Sequence, residues 1–335
     1  MEAHRTQKRL TGFKGDESGS TAVIVALLLV MLLAVAGLAI DYAHLAWVQR
    51  DLRKSAEAGA RSGARALWPL NLWGTANTRP APDYQAASTS ALNIATSNKV
   101  DGVNLTTNEV TVEVGQWNYA TQQFTPVTWA NSSTANGVRV TAQRTNVQII
   151  FGQFLGLLSK DLSSRAICIM DFAGSVGPGT LPIALNKAYT APGTPLFINF
   201  TPDTLDNGGW FADPTDQASA KTFKDYINNA ACSPLNVGDI INLQNGQDTS
   251  CLNELKDKLN LQPSKTLNVL LPVVNTDKFN QSQPIVAFVP FQISEVLTGG
   301  SPKGVSGTVL SMGEMDSAQP GGSNYGALAP PKLVQ

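Results

Sequence analysis

Asp16-Glu17-Ser18-Gly19-Ser20 spells D-x-S-x-S, an order in which one carboxylate and two hydroxyls can share a divalent cation. Such a site must follow a buried strand and converge with oxygen ligands from distant loops. Here the motif runs straight into "TAVIVALLLVMLLAVAGLAI". Asp16, Glu17 and Ser18 instead suit a helix N-terminus, where carboxylates and a hydroxyl meet the positive end of the dipole and its unpaired N–H groups. The remaining chemical inventory is thin. Histidine occurs only at His4, in the N-terminal tail, and His44, at the end of the apolar run, so no Ser-His-Asp, Cys-His or two-His zinc site is expected in the body that follows. Asp203, Asp206, Asp213 and Asp216 lie among Asn, Gly and Pro. They could serve a hydrolase as paired carboxylates or hold calcium, but they lack the D-x-D-x-D-G order of an EF-hand loop, and surface turns account for them more simply. No Gly-rich phosphate loop occurs. Neither a catalytic residue, a metal nor a cofactor is expected.

Cys168, Cys232 and Cys251 have no C-x-x-C spacing that would point to zinc or redox chemistry. In an exported body, Cys232 and Cys251 could close a disulfide loop, contributing roughly 3 kcal/mol through denatured-state entropy. The alternative is three buried free thiols. Cys168, in the alternating run Ala166-Ile167-Cys168-Ile169-Met170, reads as core.

With 24 Lys and Arg against 25 Asp and Glu, the chain offers no global charge for nucleic acid. Only 15% of residues are charged, while Asn, Gln, Thr, Ser and Gly abound after position 70, a balance suited to exported β-rich domains. The length allows an anchor plus one large or two modest folded units.

The elements that must position these residues begin with the apolar run. Residues 19–40 carry no charge, matching the ~20 residues a helix needs to cross ~30 Å of hydrocarbon. A secretory signal has a shorter apolar region, although Ala34-Val35-Ala36 has the A-x-A form of a cleavage site. Arg5, Lys8, Arg9 and Lys14 precede the span, so the positive-inside rule predicts a cytoplasmic N-terminus and an exported body. From Asp41 to Leu67 no proline interrupts the chain. Leu45, Leu52, Ala56, Gly59 and Gly63 fall on one helical face, and Arg50, Lys54, Arg61 and Arg65 on the other. The span is therefore expected to continue as an amphipathic stem. Gly59 and Gly63, with Ala56 and Ala60, form a G-x-x-x-G stripe that lets a partner approach the backbone, either the chain's own domain or the stem of a second copy. Trp68-Pro69 ends the helix.

Beyond the stem, a short helix is expected over residues 84–97, then strands over 109–117, 137–144 and 162–172, with a helix of about three turns over 146–159 capped by Asn146. "AGSVGPGT" (173–180) marks a domain boundary. Six short apolar runs follow (181–185, 196–200, 237–243, 266–274, 284–295 and 304–310), with helices over 216–231 and 250–259. The fold class is α+β: a long transmembrane and stem helix on a small antiparallel sheet, followed by a β-rich sandwich or barrel-like domain. The expected organisation is a cytoplasmic tail (1–18), transmembrane helix (19–40), stem (41–68), α+β domain (69–173), β-rich domain (181–312) and flexible tail (313–335).

Gly19-Ser20-Thr21-Ala22 opening the span, Gly37-Leu38-Ala39-Ile40-Asp41 closing it, and Leu52-Arg53-Lys54-Ser55-Ala56-Glu57-Ala58-Gly59-Ala60 in the stem resemble the TadE/TadG-like proteins of tight-adherence (Flp, type IVb-like) pilus systems. Asn136-Gly137-Val138-Arg139-Val140-Thr141 is similar to their exported domain. The resemblance implies a single-pass inner-membrane protein with a periplasmic body, acting as a minor pilin-like or assembly component of a pilus or related secretion apparatus. Its implied partners are the inner membrane and other apparatus proteins, with self-association through the stem an open alternative. Gly19 stands where pilins are cleaved, but Ile24 replaces the Glu that pilins carry five residues later, which speaks against processing. Longer TadG-like proteins carry a von Willebrand A-type domain, and no such insertion occurs here. Two functional classes follow: a non-enzymatic structural component, or a membrane-tethered hydrolase or ligand-binding module built on the Asp203–Asp216 cluster.

Overall fold

The computed structural model describes residues 17–68, 73–201 and 207–335. Helix α1, Glu17–Ala66, runs unbroken for 50 residues, about 75 Å at 1.5 Å per residue. It has two halves of opposite character. From residue 21 to 40 nearly every side chain is exposed, yet an 18-residue window reaches a mean hydropathy of 3.2, long and apolar enough to cross a membrane. After Asp41 one face enters a core through Val48, Leu52, Ala56, Ala60, Ala64 and Leu67, all fully buried. This is the helical spacing legible in the stem.

Helix α2, Tyr84–Ser97, begins at Asp83, whose carboxylate accepts from the Ala86 N–H at 2.9 Å. It turns Ala87, Ala91 and Ala95 toward α1. Both helices pack on a five-stranded antiparallel sheet ordered Lys332–Leu333, Ser159–Ile169, Gly137–Gln148, Val110–Asn118 and Gln123–Pro126. Val114, Val138, Val140, Ala166 and Cys168 supply its inner face.

The G-x-x-x-G stripe is consumed inside the chain. A Cβ at Gly59 would stand 2.9 Å from the Ala91 carbonyl oxygen and from the Ala95 Cβ. At Gly63 it would stand 2.8 Å from the Ala91 Cβ and 2.9 Å from Val138 Cγ1. Buried Ser55 adds a 2.8 Å bond to the Ala95 carbonyl. Of the two partners left open by the sequence, α2 and the sheet are the ones that occupy Ala56, Gly59, Ala60 and Gly63, so the stripe is not a free surface for a second stem.

The expected helix over 146–159 does not form. The second half of that segment folds as a 3-10 turn, Gly152–Leu155, between the ends of the strands Gly137–Gln148 and Ser159–Ile169. Asn146 sits at φ 56° and gives its N–H to the Asp161 carboxylate instead of capping a helix. Gly156 closes the turn in the left-handed region.

The second unit is built on a seven-stranded sheet. Five of its strands, Ile240–Gln244, Gly208–Ala212, Ile183–Asn186, Leu267–Val274 and Ser282–Leu297, close on one another because the first also pairs with the last. Of sandwich and barrel, the barrel is what forms. Gly304–Val309 and Pro195–Ile198 extend the sheet beyond the closed ring. Helices α3, Ala220–Asn229, and α4, Thr249–Asn260, contribute Phe223, Ile227, Leu252 and Leu255 to one apolar core of this unit. The strand Gly208–Ala212 escapes the sequence reading because it opens on two glycines. It is nonetheless fully buried, with Trp210 stacked between Phe200 and Phe223.

Residues 313–335, expected to be a flexible tail, are instead woven through both units. Gln319–Pro320 pairs with Ala173–Val176, Leu328 bridges to Phe172, and Lys332–Leu333 becomes the edge strand of the first sheet beside Ser159–Ile169. Leu328 packs in the first core while Ala327 and Ala329 pack in the second. Small residues in a Gly- and Pro-rich segment hid this pairing, because their burial carries no strong apolar periodicity. Arg65 of α1 forms an ion pair with Glu314 from the same segment.

Two outcomes follow. Gly63→Leu places a side chain where two neighbours already stand and is expected to destabilise the purified full chain by about 1–3 kcal/mol, read by denaturant titration in detergent; unchanged stability would mean that the stripe is not packed. Leu328→Ala is expected to cost about 2–5 kcal/mol and to open the 313–335 segment to limited proteolysis, whereas a loose tail would tolerate it.

Candidate functional site

At the end of the apolar half of α1, Asp41 is buried although it borders solvent-exposed turns on either side. Its carboxylate accepts from three consecutive backbone donors of the turn that replaced the expected helix. Ile150 N–H donates to Oδ1 at 2.8 Å, Phe151 N–H to Oδ2 at 2.9 Å, and Gly152 N–H to Oδ2 at 2.6 Å. Burial acts to raise the Asp41 pKa, but these backbone donors outweigh it and hold the carboxyl below its ordinary value. An ionised group in this position pins the turn to α1 through charge-assisted hydrogen bonds. One turn earlier, Gly37 lets the Phe151 ring lie on the helix backbone: a Cβ there would stand 2.7 Å from the ring. Sequence reading identified Gly37 and Asp41 as part of the motif closing the span but not their contact with residues 150–152. The usable signal was a lone carboxylate at the end of an apolar helix, which must find donors once buried.

Of the other residues singled out, Gly19 lies in the first turn of α1. Cys232 and Cys251 do not form the disulfide considered above: both, like Cys168, are buried free thiols. Along the barrel strands Ile183, Leu185, Trp210 and Leu271 feed one core and the alternating Ala184, Phe211 and Leu270 the other. The two cores thus occupy opposite faces of the sheet. Cys251 belongs to the first and Cys232 to the second, which keeps the thiols apart. Burial pushes all three thiols up to about 12, so none is a ready nucleophile.

Asp203 and Asp206 lie outside the described residues. Asp213 is buried and committed to a turn: Oδ1 accepts from the Thr215 N–H and hydroxyl and from the Asp216 N–H, while Oδ2 accepts from Ser233. Burial alone would raise its pKa, but these bonds lower it to about 2, the reverse of what a general acid needs. Asp216 accepts from the Tyr226 hydroxyl at 2.8 Å. This arrangement orients a loop against α3. Among the described residues, no group of three His, Cys, Asp or Glu side chains is placed to hold a metal ion.

What the arrangement does is positional: Asp41 and Gly37 hold the 150–152 turn against the end of the apolar half of α1. Residues 19–66, nearly the whole of α1, match the family described as Flp pilus-assembly TadE/G-like. Residues 73–168, which include α2 and four of the five strands of the first sheet, match the family described as Tad-like Flp pilus-assembly. The comparisons with curated proteins and with solved structures found no match. Through α1 and the antiparallel sheet packed on it, the chain is TadE/TadG-like: residues 19–66 and 73–168, less than half of its length, carry the match to the Flp pilus-assembly families.

Proposed function

We propose that this protein is a membrane-anchored, non-enzymatic component of a Flp pilus or a related secretion apparatus, holding a periplasmic body at a fixed geometry above the inner membrane. The observation that carries the reading is the continuity of α1, whose exposed apolar half passes without a break into a half packed against α2 and the sheet. A helix shared in this way transmits position and torque between bilayer and body, which a flexible linker would not. The N-terminus is cytoplasmic, in keeping with Arg5, Lys8, Arg9 and Lys14. The anchor is uncleaved, since Ile24 lacks the carboxylate that pilin processing accompanies. The body engages other proteins of the apparatus. The alternative hydrolase or ligand-binding reading, built on the aspartate cluster, draws no support from Asp213 and Asp216, whose carboxylates are taken up by the fold.

Deleting the gene in its native host is expected to abolish surface pili and adhesion, with the full chain restoring both. Asp216→Asn, which can still accept from Tyr226, is expected to restore them as well. Intact piliation in the deletion strain would overturn the structural role, and failure of Asp216→Asn despite normal export and melting would favour the hydrolase. Protease treatment of spheroplasts should digest the body while leaving an N-terminal tag intact; the reverse pattern would overturn the topology.

A further inference from the structure

Residues 145–159, between Arg144 and Lys160, carry no charge and include "IIFGQFLGLL". Within this stretch Ile150, Phe151, Phe154, Leu155, Leu157 and Leu158 are all exposed, Phe154 by 84%, Leu155 by 69% and Leu158 by 67%. Among the other described residues of the body, exposed large apolar side chains are scattered singly. A contiguous group of six is the kind of patch a soluble surface avoids.

The patch continues the exposed apolar half of α1. Phe151, Phe154 and Leu155 line a cleft of about 350 Å³ whose other wall is Leu33, Ala34 and Leu38. Leu33 lies eight residues before Asp41, about 12 Å along the helix axis, so the turn reaches down beside the span by that depth. Tyr42 and Trp47, both exposed, stand on the opposite side of Asp41, where interfacial aromatics are expected.

Irregular backbone near hydrocarbon must pair its polar groups within the protein, and seven of the ten N–H groups of residues 149–158 do so. Asp41 takes the N–H groups of Ile150, Phe151 and Gly152. Ile149 donates to Leu158, Phe154 to Phe151, Gly156 to Gln153 and Leu157 to Gly152.

We propose that the 149–158 turn is a second membrane contact, inserted into the acyl-chain region of the leaflet on the body's side, with lipid chains filling the cleft against Leu33 and Leu38 and with Asp41 setting its depth. This rests on the reading of residues 19–40 as a bilayer span. A helix alone can rotate and tilt in the membrane; a second apolar foothold beside it fixes the azimuth of the body.

The test uses the full chain, one copy per phosphatidylcholine nanodisc, with a nitroxide attached at Phe154→Cys, Leu158→Cys, Leu29→Cys or Trp129→Cys. All four native residues are exposed, so folding is preserved, and the native thiols are buried. The expected result is that the labels at 154 and 158 collide more with oxygen than with a water-soluble nickel chelate, as at 29 in the span, while the label at 129 on the body shows the reverse. Labels at 154 and 158 that follow 129, with 29 still lipid-exposed, would overturn the proposal alone and would mean that protein, not lipid, covers the patch. A water-exposed label at 29 would overturn the span itself and the proposal with it.

Discussion

The architecture depends on how closely α1 can approach α2 and the first sheet. Helices held apart by large side chains can slide and tilt; helices in backbone contact cannot. Here Gly59 and Gly63 bring the α1 backbone against Ala91 and Ala95, leaving no room for even one added carbon. Small side chains bury little area individually, so the seam acquires its stability from what flanks it. Leu52 and Leu67 are fully buried on the same face, and Trp68 donates to the Met170 carbonyl at 2.7 Å while its ring meets Phe172 edge-on. Dispersion across a seam this tight is lost at once if the helices separate. The rigid anchoring of the body follows from that constraint.

The same end of α1 couples the two units. Phe172, packed on Trp68, is also the partner of Leu328, and Arg65 is paired with Glu314. The C-terminal segment therefore returns to the sheet that α1 supports. It distributes alternate residues to two cores, Leu328 to one and its neighbours to the other. A chain whose last strand completes its first sheet has units that cannot swing independently without breaking that ladder. At the opposite end of the stem, Asp41 performs a comparable task on a smaller scale, converting three backbone N–H groups that would otherwise require water into an attachment point.

Much of the outline was legible because it depends on local pattern. The apolar run, the period of the stem, α2 behind Asp83 and the alternating strands around Val112 and Val140 all declare themselves within a window of a few residues. The strand Gly208–Ala212 was missed because two glycines weaken its alternation, and residues 146–159 were misassigned because their apolar spacing fits a helix in isolation. What overrode that spacing was a carboxylate more than a hundred positions earlier in the chain. The site was thus half legible: Gly37 and Asp41 were visible as a motif, but their partner segment was not.

By itself, the sequence determined that this protein has a helix able to cross a bilayer, a stem with a small-residue face, a β-rich body, and an aspartate cluster better suited to turns than to catalysis. Each of these depends on hydrophobicity, periodicity or residue inventory, properties that belong to neighbouring residues. The tertiary structure alone decided what covers the small-residue face, that Cys232 and Cys251 lie on opposite sides of one sheet, that the tail is a strand, and that residues 149–158 fold back beside the apolar helix. Those outcomes depend on contacts between residues far apart in the chain, where packing density and the need to pair buried polar groups select one arrangement among several that local pattern allows.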